Sequence, residues 1–157
     1  MTSKARIAAP LFMAFSLVPA AESGNLWPPR QFDQGVIAEW NAMLMSAMPV
    51  SAGDSVPRYY ALMHIAMADA ISSIERRTPA IYSRVPAAHH ASSDAAAAQA
   101  AHDVLVALLP ERKAEFDLEL RERLATINPQ RGQQGVAVGR AVAQRTLEWA
   151  ARQSALS

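Results

Sequence analysis

The chain has 157 residues, enough for one domain with a substantial core, and 51% of them are hydrophobic although only 6% are aromatic. Sheets favour aromatic and β-branched residues, so this alanine- and leucine-rich composition predicts helices. The chain contains no cysteine, which excludes disulfides, cysteine-ligated zinc and thiol chemistry. Its net charge of +1, without a basic stretch that carries interleaved aromatic residues, argues against a nucleic-acid partner.

Residues 1–21 have the pattern of an export signal. Lys4 and Arg6 precede an apolar stretch, and small residues allow cleavage near Ala20 or Ala21. Cleavage there would leave 13 basic against 14 acidic groups, a net charge of −1. We therefore expect a secreted or periplasmic protein with no stable membrane anchor. The alternative is an apolar N-terminal helix that docks on the domain.

Residues 22–31 predict an extended lead-in, and the helical domain is expected over residues 32–157. The first helix of that domain spans about residues 32–48, where apolar side chains follow a helical period. Those side chains are Val36, Ile37, Trp40, Met43, Leu44, Ala47 and Met48. Pro49 is expected to end the helix.

The second segment, residues 57–75, has apolar side chains all round a helical projection rather than along one stripe. Such a helix is typical of the buried centre of a helical domain. Pro57 fits its first turn. The segment is long enough to span a membrane, but its polar and charged residues argue against that. They are Arg58, His64, Asp69, Glu75, Arg76 and Arg77.

A proline-containing, irregular connection over residues 76–93 leads to an alanine-rich helix, residues 95–109. Ser93 or Asp94 is expected to cap that helix. Its many alanines imply that neighbouring helices approach closely, because a methyl group keeps the helix axes near each other. Pro110 marks its end.

Two helices complete the predicted domain, a solvated one over residues 111–127 and a longer one over residues 130–153. Asn128 followed by Pro129 has the pattern of a cap and a first helical residue. Glycine costs about 1 kcal/mol in a helix interior, so three glycines in the last helix imply that another helix crosses there. They are Gly132, Gly135 and Gly139. The predicted fold class is all-α, a five-helix bundle around the central buried helix 57–75, preceded by a signal-peptide helix.

Two polar residues of that central helix invite a functional interpretation. His64 has no carboxylate four residues further on and is expected to be a hydrogen-bonded core residue. Asp69 needs a partner if it is buried. An ion pair with Arg58, Arg76 or Arg77 is expected rather than a role in proton transfer.

His89, His90, Asp94, His102 and Asp103 are candidate metal ligands. Their spacing fixes no coordination geometry and contains no HExxH-type motif, so the histidine pair is expected to lie in a solvated loop. No GxSxG, phosphate-binding loop or GxGxxG pattern occurs in the sequence. The residues alone therefore predict no catalytic, cofactor-binding or metal-binding residue.

Four stretches, in order, resemble the N-terminal helical half of bacterial vanadium-dependent haloperoxidase-like proteins, relatives of the type 2 phosphatidic acid phosphatases. They are VIAEWNAML (36–44), RYYALMHIAMADAISSIERR (58–77), AAAAQAAHDVLVALLP (95–110) and GVAVGRAVAQRTLEWAARQ (135–153). The second, with its Ala-Leu-Met-His and Ala-Asp-Ala-Ile steps, is the most specific of the four.

The resemblance implies that a vanadate or phosphate site belongs to a C-terminal half, which carries Lys-x6-Arg-Pro, Pro-Ser-Gly-His and Ser-Arg-x5-His motifs. There, lysine and arginine neutralise the oxyanion and histidines act on it. This chain has no Arg-Pro pair and no Pro-Ser-Gly-His. Ser83, Arg84 and His90 match the third motif by spacing, but we expect a coincidence because its partner motifs are missing. Vanadate is implied for the family, and no cofactor for this chain.

By resemblance, the chain is expected to be the helical scaffold domain of an exported haloperoxidase-like or phosphatase-like protein, cut off before the oxyanion site and inactive alone. Its expected partner is a separately encoded catalytic half, and a homo-oligomer is the other assembly to consider. Two alternatives remain open. One is a remnant without activity, and the other is a periplasmic helical binding or interaction module without catalysis.

Overall fold

The computed structural model describes residues 35–48, 53 and 55–155. Within these residues the chain forms five α-helices and no strand. They are α1 (Gly35–Ala47), α2 (Val56–Glu75), α3 (Ser93–Leu108), α4 (Lys113–Ala125) and α5 (Pro129–Ser154), and the short 3₁₀ helix Pro110–Arg112 joins α3 to α4. The all-α fold class is therefore confirmed, and each helix overlaps its predicted span. The predicted export signal and lead-in, residues 1–31, lie outside the described residues.

α3 is the most completely buried helix in the described part of the chain. Eleven of its 16 residues are buried, and it packs against all four of the other α-helices. Its alanine methyl groups let neighbouring helix axes approach from several sides. An alanine-rich helix therefore takes the central place.

The prediction that segment 57–75 is the central buried helix is accordingly wrong. In α2, nine of 20 residues are buried, and one side of the helix, which includes Tyr59, His64 and Ile65, stays partly exposed. Large apolar side chains lie all round α2, but burial depends on the neighbours that cover a helix, and those neighbours surround α3 instead. No helix of the described ranges is both long and apolar enough to cross a bilayer.

α5 crosses α3 at a pair of glycines. A Cβ added to Gly135 would lie 2.3 Å from the carbonyl oxygen of Ser92, and one added to Gly139 would lie 2.3 Å from the carbonyl oxygen of Ala96. The predicted close crossing is therefore confirmed at these two positions. Gly132 is different, because its added Cβ would meet only a side-chain methyl group at 3.6 Å, an ordinary van der Waals contact.

Side-chain caps begin both of the helices that cross. The Oγ of Ser92 accepts a first-turn backbone N–H of α3 at 3.2 Å, so Ser92 caps the helix rather than the predicted Ser93 or Asp94. The Oδ1 of Asn128 accepts the N–H of Arg131 at 3.2 Å. The predicted cap of α5 is therefore confirmed.

All five helices contribute to the apolar core. Its largest fully buried side chains are Trp40 and Leu44 from α1, Met63 and Met67 from α2, Leu105 from α3 and Phe116 from α4. The rings of Trp40 and Phe116 pack with their centroids 6.5 Å apart. Among the described residues, the buried ionisable side chains are those of Asp69 and His102.

Candidate functional site

Asp69 is a fully buried carboxylate on α2 that holds the connection between α2 and α3. Its Oδ1 accepts the N–H of Ile81 at 2.5 Å, and its Oδ2 accepts the N–H groups of Tyr82 at 2.9 Å and Ser83 at 2.6 Å. Hydrogen bonds from several backbone N–H groups offset the burial of a carboxylate without a cation. We call Asp69 and the backbone of residues 81–83 the Asp69 clamp.

The predicted ion pair between Asp69 and an arginine is therefore wrong. Arg58 donates to the Oγ of Ser154 at 2.6 Å, and Arg76 and Arg77 are exposed. Arg76 ends α2 in a left-handed conformation with φ of 56°, which turns the chain out of the helix. The connection then supplies its own N–H groups to the carboxylate.

Ser73, four residues after Asp69 on α2, holds a neighbouring part of the connection. Its buried Oγ accepts the N–H of Val85 at 3.1 Å and donates to the carbonyl oxygen of Asp69 at 2.7 Å. Residues four apart lie on one side of a helix. Asp69 and Ser73 therefore fix residues 81–85 along a single side of α2.

α5 holds the same connection from a second helix. Arg145 donates to the carbonyl oxygen of Arg84 at 3.1 Å, and Arg152 donates to the hydroxyl of Tyr82 at 2.8 Å. The Tyr82 ring also packs against Trp149, with ring centroids 5.4 Å apart. The connection is therefore bonded to both α2 and α5.

The residues that match Ser-Arg-x5-His by spacing make separate contacts. The N–H of Ser83 belongs to the Asp69 clamp, and the guanidinium of Arg84 donates to a backbone carbonyl oxygen at 2.7 Å. His90 lies with its neighbour His89 in an exposed turn. Within the described ranges, no group of three His, Asp or Glu side chains is placed to hold a metal ion.

His102 of α3 lies between two carboxylates. Its Nδ1 is 2.7 Å from Oδ1 of Asp103 on the same helix, and its Nε2 is 2.8 Å from Oδ1 of Asp117 on α4. Gln99 donates to Oδ1 of Asp103 at 2.7 Å, and Lys113 donates to the other carboxylate oxygen of Asp117. We call these five residues the His102 cluster. It joins α3 to α4.

Aromatic rings pack against the inner side of the His102 cluster. Trp40 meets the His102 ring edge-on, with centroids 6.4 Å apart and ring planes at 82°, and the fully buried Phe116 precedes Asp117. The side chain of His102 is 11% exposed, whereas those of Asp103 and Asp117 are 26% and 36% exposed. The imidazole is therefore shielded, while both carboxylates reach solvent and stay hydrated.

The pKa values of the cluster follow from this geometry. Burial lowers the pKa of the His102 ring, but hydrogen bonds to Asp103 and Asp117 and the charges of these carboxylates outweigh burial, so the pKa is raised. Hydrogen bonds, first from Lys113 and then from His102, lower the pKa of Asp117. Both shifts favour a protonated ring between two ionised carboxylates, which makes both hydrogen bonds charge-assisted.

This arrangement limits what His102 can do chemically. Both of its ring nitrogens are engaged, so the ring offers no free lone pair to take a proton from a substrate. An imidazole that is hydrogen-bonded at both ring nitrogens fixes the position of one helix on another. The His102 cluster is therefore a tether between α3 and α4.

His64 lies on the partly exposed side of α2. Its ring stacks on that of Tyr60, with centroids 6.2 Å apart and planes at 16°. Burial lowers the pKa of His64. His64 is therefore half-buried and stacked on Tyr60, and not the core residue that the sequence predicts.

We expect His102 to make the stability of the protein depend on pH. Because its pKa is raised above the ordinary 6.5 in the folded state, its stabilising contribution is complete below about pH 6.5 and is lost as the pH rises through the folded-state pKa. Urea titrations at several pH values should show the free energy of unfolding falling over that range. In His102→Gln this fall should be absent.

His64→Gln is the matched control. Burial lowers the pKa of His64, so its contribution has the opposite sign and is lost as the pH falls below about 6.5. The control variant should therefore keep the loss of stability at high pH. If His102→Gln keeps it too, the tether assigned to His102 is wrong.

Comparison of the chain with protein-family models, with curated proteins and with solved structures found no match. Function is therefore inferred from the residues and their geometry. The two polar clusters described above are alike in one respect. In each, a buried ionisable group is bonded to other parts of the same chain and holds one element on another.

Proposed function

We propose that the chain is the helical scaffold domain of an exported haloperoxidase-like or phosphatase-like protein and that it is not catalytic alone. A separately encoded catalytic part would supply the residues that bind the oxyanion. The four stretches that carry the resemblance fall on α1, α2, α3 and α5. The elements that would form the scaffold are thus the ones whose sequences resemble the family.

The contacts of the two buried ionisable residues, Asp69 and His102, are the main support for this proposal. Asp69 binds three backbone N–H groups of a connection, and His102 binds two carboxylates. An active site needs polar groups aimed at a space that a substrate can enter. Among the described residues, Asp69 and His102 instead hold helices and a connection in place, as a scaffold requires.

Neither cluster suits vanadate or phosphate. The N–H donors of the Asp69 clamp already bind a carboxylate, and His102 lies between two carboxylates that would repel an anion. Neither of these two clusters of the described residues therefore offers a binding site for the oxyanion. Vanadate or phosphate would be bound by the catalytic part.

The test is to assay the purified chain alone and then with its catalytic partner. Alone, it should neither oxidise bromide in the presence of vanadate and hydrogen peroxide nor hydrolyse p-nitrophenyl phosphate above a protein-free control. Co-expression with the product of a neighbouring reading frame that carries Pro-Ser-Gly-His should give a complex that co-purifies. Bromide oxidation or phosphatase activity by the chain alone would overturn the proposal.

A helical binding module without catalysis is the second candidate, and a groove between α2 and α5 favours it. The groove has a volume of about 270 Å³. Its apolar lining residues are Ala61, Leu62, Ile65, Trp149 and Ala150. If an apolar fluorescent probe binds there, Ile65→Ser should remove that binding. Probe binding without any co-purifying catalytic part would favour this candidate over the scaffold.

A further inference from the structure

The connection after α2 combines exposed apolar and basic side chains. Residues 76–84, with the sequence RRTPAIYSR, include three arginines, and no acidic residue occurs from position 76 to position 93. Ile81 is 64% exposed and Tyr82 is 40% exposed. They are two of the four large hydrophobic residues exposed in the described part of the chain. We call residues 76–84 the arginine loop.

The exposure of Ile81 does not come from a loosely held backbone. The N–H groups of Ile81, Tyr82 and Ser83 are all bonded to the buried carboxylate of Asp69. The backbone of residues 81–83 is therefore fixed from inside, while the Ile81 side chain is left in water. Covering the Ile81 side chain would yield a favourable burial free energy that the chain alone does not obtain.

The surroundings of the arginine loop are also basic. Arg145 and Arg152 of α5 donate to its backbone and to Tyr82, so two more guanidinium groups lie beside the loop. The buried carboxylate of Asp69 is bonded to the loop itself. Glu75 immediately precedes the loop and accepts from Ser93 at 3.0 Å, and Glu148 on α5 accepts from Gln144 at 3.0 Å. Five arginines against the carboxylates of Asp69, Glu75 and Glu148 leave an excess of positive charge around Ile81.

We propose that the arginine loop docks on the surface of an anionic phospholipid bilayer. Ile81 would enter the region between the headgroups and the acyl chains, with the solvent-exposed part of the Tyr82 ring beside it, and the guanidinium groups of Arg76, Arg77 and Arg84 would bind lipid phosphates. Apolar and aromatic side chains flanked by cations are the combination that interfacial binding uses. The attachment is peripheral and does not depend on a catalytic partner.

Charge and shape together favour a bilayer over an acidic protein. Charge alone would suit either partner. An exposed isoleucine on a fixed backbone adds an apolar contact that a hydrated acidic surface would leave unused, whereas a bilayer interface can bury it. Arg76, Arg77, Pro79, Ile81 and Arg84 are all exposed, as expected of a loop that meets a broad surface.

The test is co-sedimentation of the purified chain with vesicles, with the N-terminus of the purified chain determined by mass spectrometry. The chain should bind vesicles of equal parts phosphatidylglycerol and phosphatidylcholine, and should bind pure phosphatidylcholine at least about tenfold more weakly. Ile81→Ser should weaken binding to the anionic vesicles about fivefold, and Arg76→Gln/Arg77→Gln about tenfold. Raising the salt concentration to about 0.5 M should weaken the binding of the unaltered chain to the anionic vesicles.

The matched controls are Leu118→Ser, which removes an exposed apolar side chain from α4, and Arg121→Gln/Arg140→Gln, which removes two exposed charges outside the loop. Both should bind within about twofold of the unaltered chain, and all variants should unfold at the same urea concentration. Absence of binding to anionic vesicles, or an equal loss in the controls, overturns the proposal. Binding that needs the arginines but not Ile81 also overturns it and points to an acidic protein partner instead.

Discussion

Replacing Asp69 with alanine is expected to lower the free energy of unfolding by about 3 to 5 kcal/mol, because three backbone N–H groups lose their shared acceptor. The loss should also free the connection that these groups fix. Arg77 and Arg84 lie in that connection and are exposed, so trypsin should cleave there faster in the variant. The stability of Asp69→Asn should lie between that of the unaltered chain and that of Asp69→Ala. The asparagine keeps one acceptor oxygen but places an amide donor against N–H donors.

Ser72→Ala is the matched control for this prediction. Ser72 is also buried, and its hydroxyl donates only to the carbonyl oxygen of Asp69, within α2, at 3.2 Å. The control should therefore lose about 1 kcal/mol or less and keep the slow tryptic cleavage. Ser73→Ala should be intermediate, because Ser73 is also an acceptor for Val85. If Asp69→Ala is as stable as Ser72→Ala, the clamp does not fix the connection.

The sequence indicates part of this clamp. An aspartate inside an apolar helical segment predicts a buried carboxylate that needs a partner. The structure confirms that Asp69 is buried and that its carboxylate has hydrogen-bond partners. The identity of the partner was not predictable from the same information. Arginines nearby in sequence looked sufficient, but the path of an irregular connection depends on tertiary packing, and that path brings the N–H groups of residues 81–83 to Asp69.

The sequence predicts α2 as the central helix, whereas α3 is the most buried of the described helices, for a related reason. Hydrophobic periodicity reports how apolar a helix is, and the large side chains of α2 satisfy that measure better than the alanines of α3. Burial is decided by neighbours, and small side chains permit more of them. The alanines and the glycines of α5 did predict close approach between helices. The alanines of α3 lie at that crossing, which is why α3 rather than α2 is the most buried of the described helices.

The His102 cluster shows where sequence reasoning stops. His102 and Asp103 are adjacent and were considered as metal ligands, but Asp117 is 15 positions further on and belongs to another helix. Its one local signal is that it follows Phe116, whose burial places Asp117 at the edge of the inner side of α4. Choosing Asp117 over the other acidic residues of α4 requires the relative rotation of two helices, which a single sequence does not contain.

The helix crossing of α3 and α5 yields the second large effect. Gly139→Ala should lower the free energy of unfolding by about 2 kcal/mol, as the balance of two opposing terms. The added methyl group would lie 2.3 Å from a backbone carbonyl oxygen of α3 and 2.8 Å from the Cβ of Gln99. A backbone carbonyl cannot rotate away as a side chain does, so the helices must separate, at about 3 kcal/mol. Higher helix propensity returns about 1 kcal/mol.

Gly132→Ala makes this prediction sharp, because it is the same substitution in the same helix without the close contact. With its nearest neighbour at 3.6 Å, it should raise the free energy of unfolding by about 0.5 to 1 kcal/mol. Urea titrations followed by circular dichroism should therefore give opposite signs for the two variants. Gly135→Ala should resemble Gly139→Ala, and the double variant should cost less than the sum, because helices already separated at one glycine have room at the other. Equal signs at positions 132 and 139, or full additivity, would mean that the crossing distance does not limit these residues.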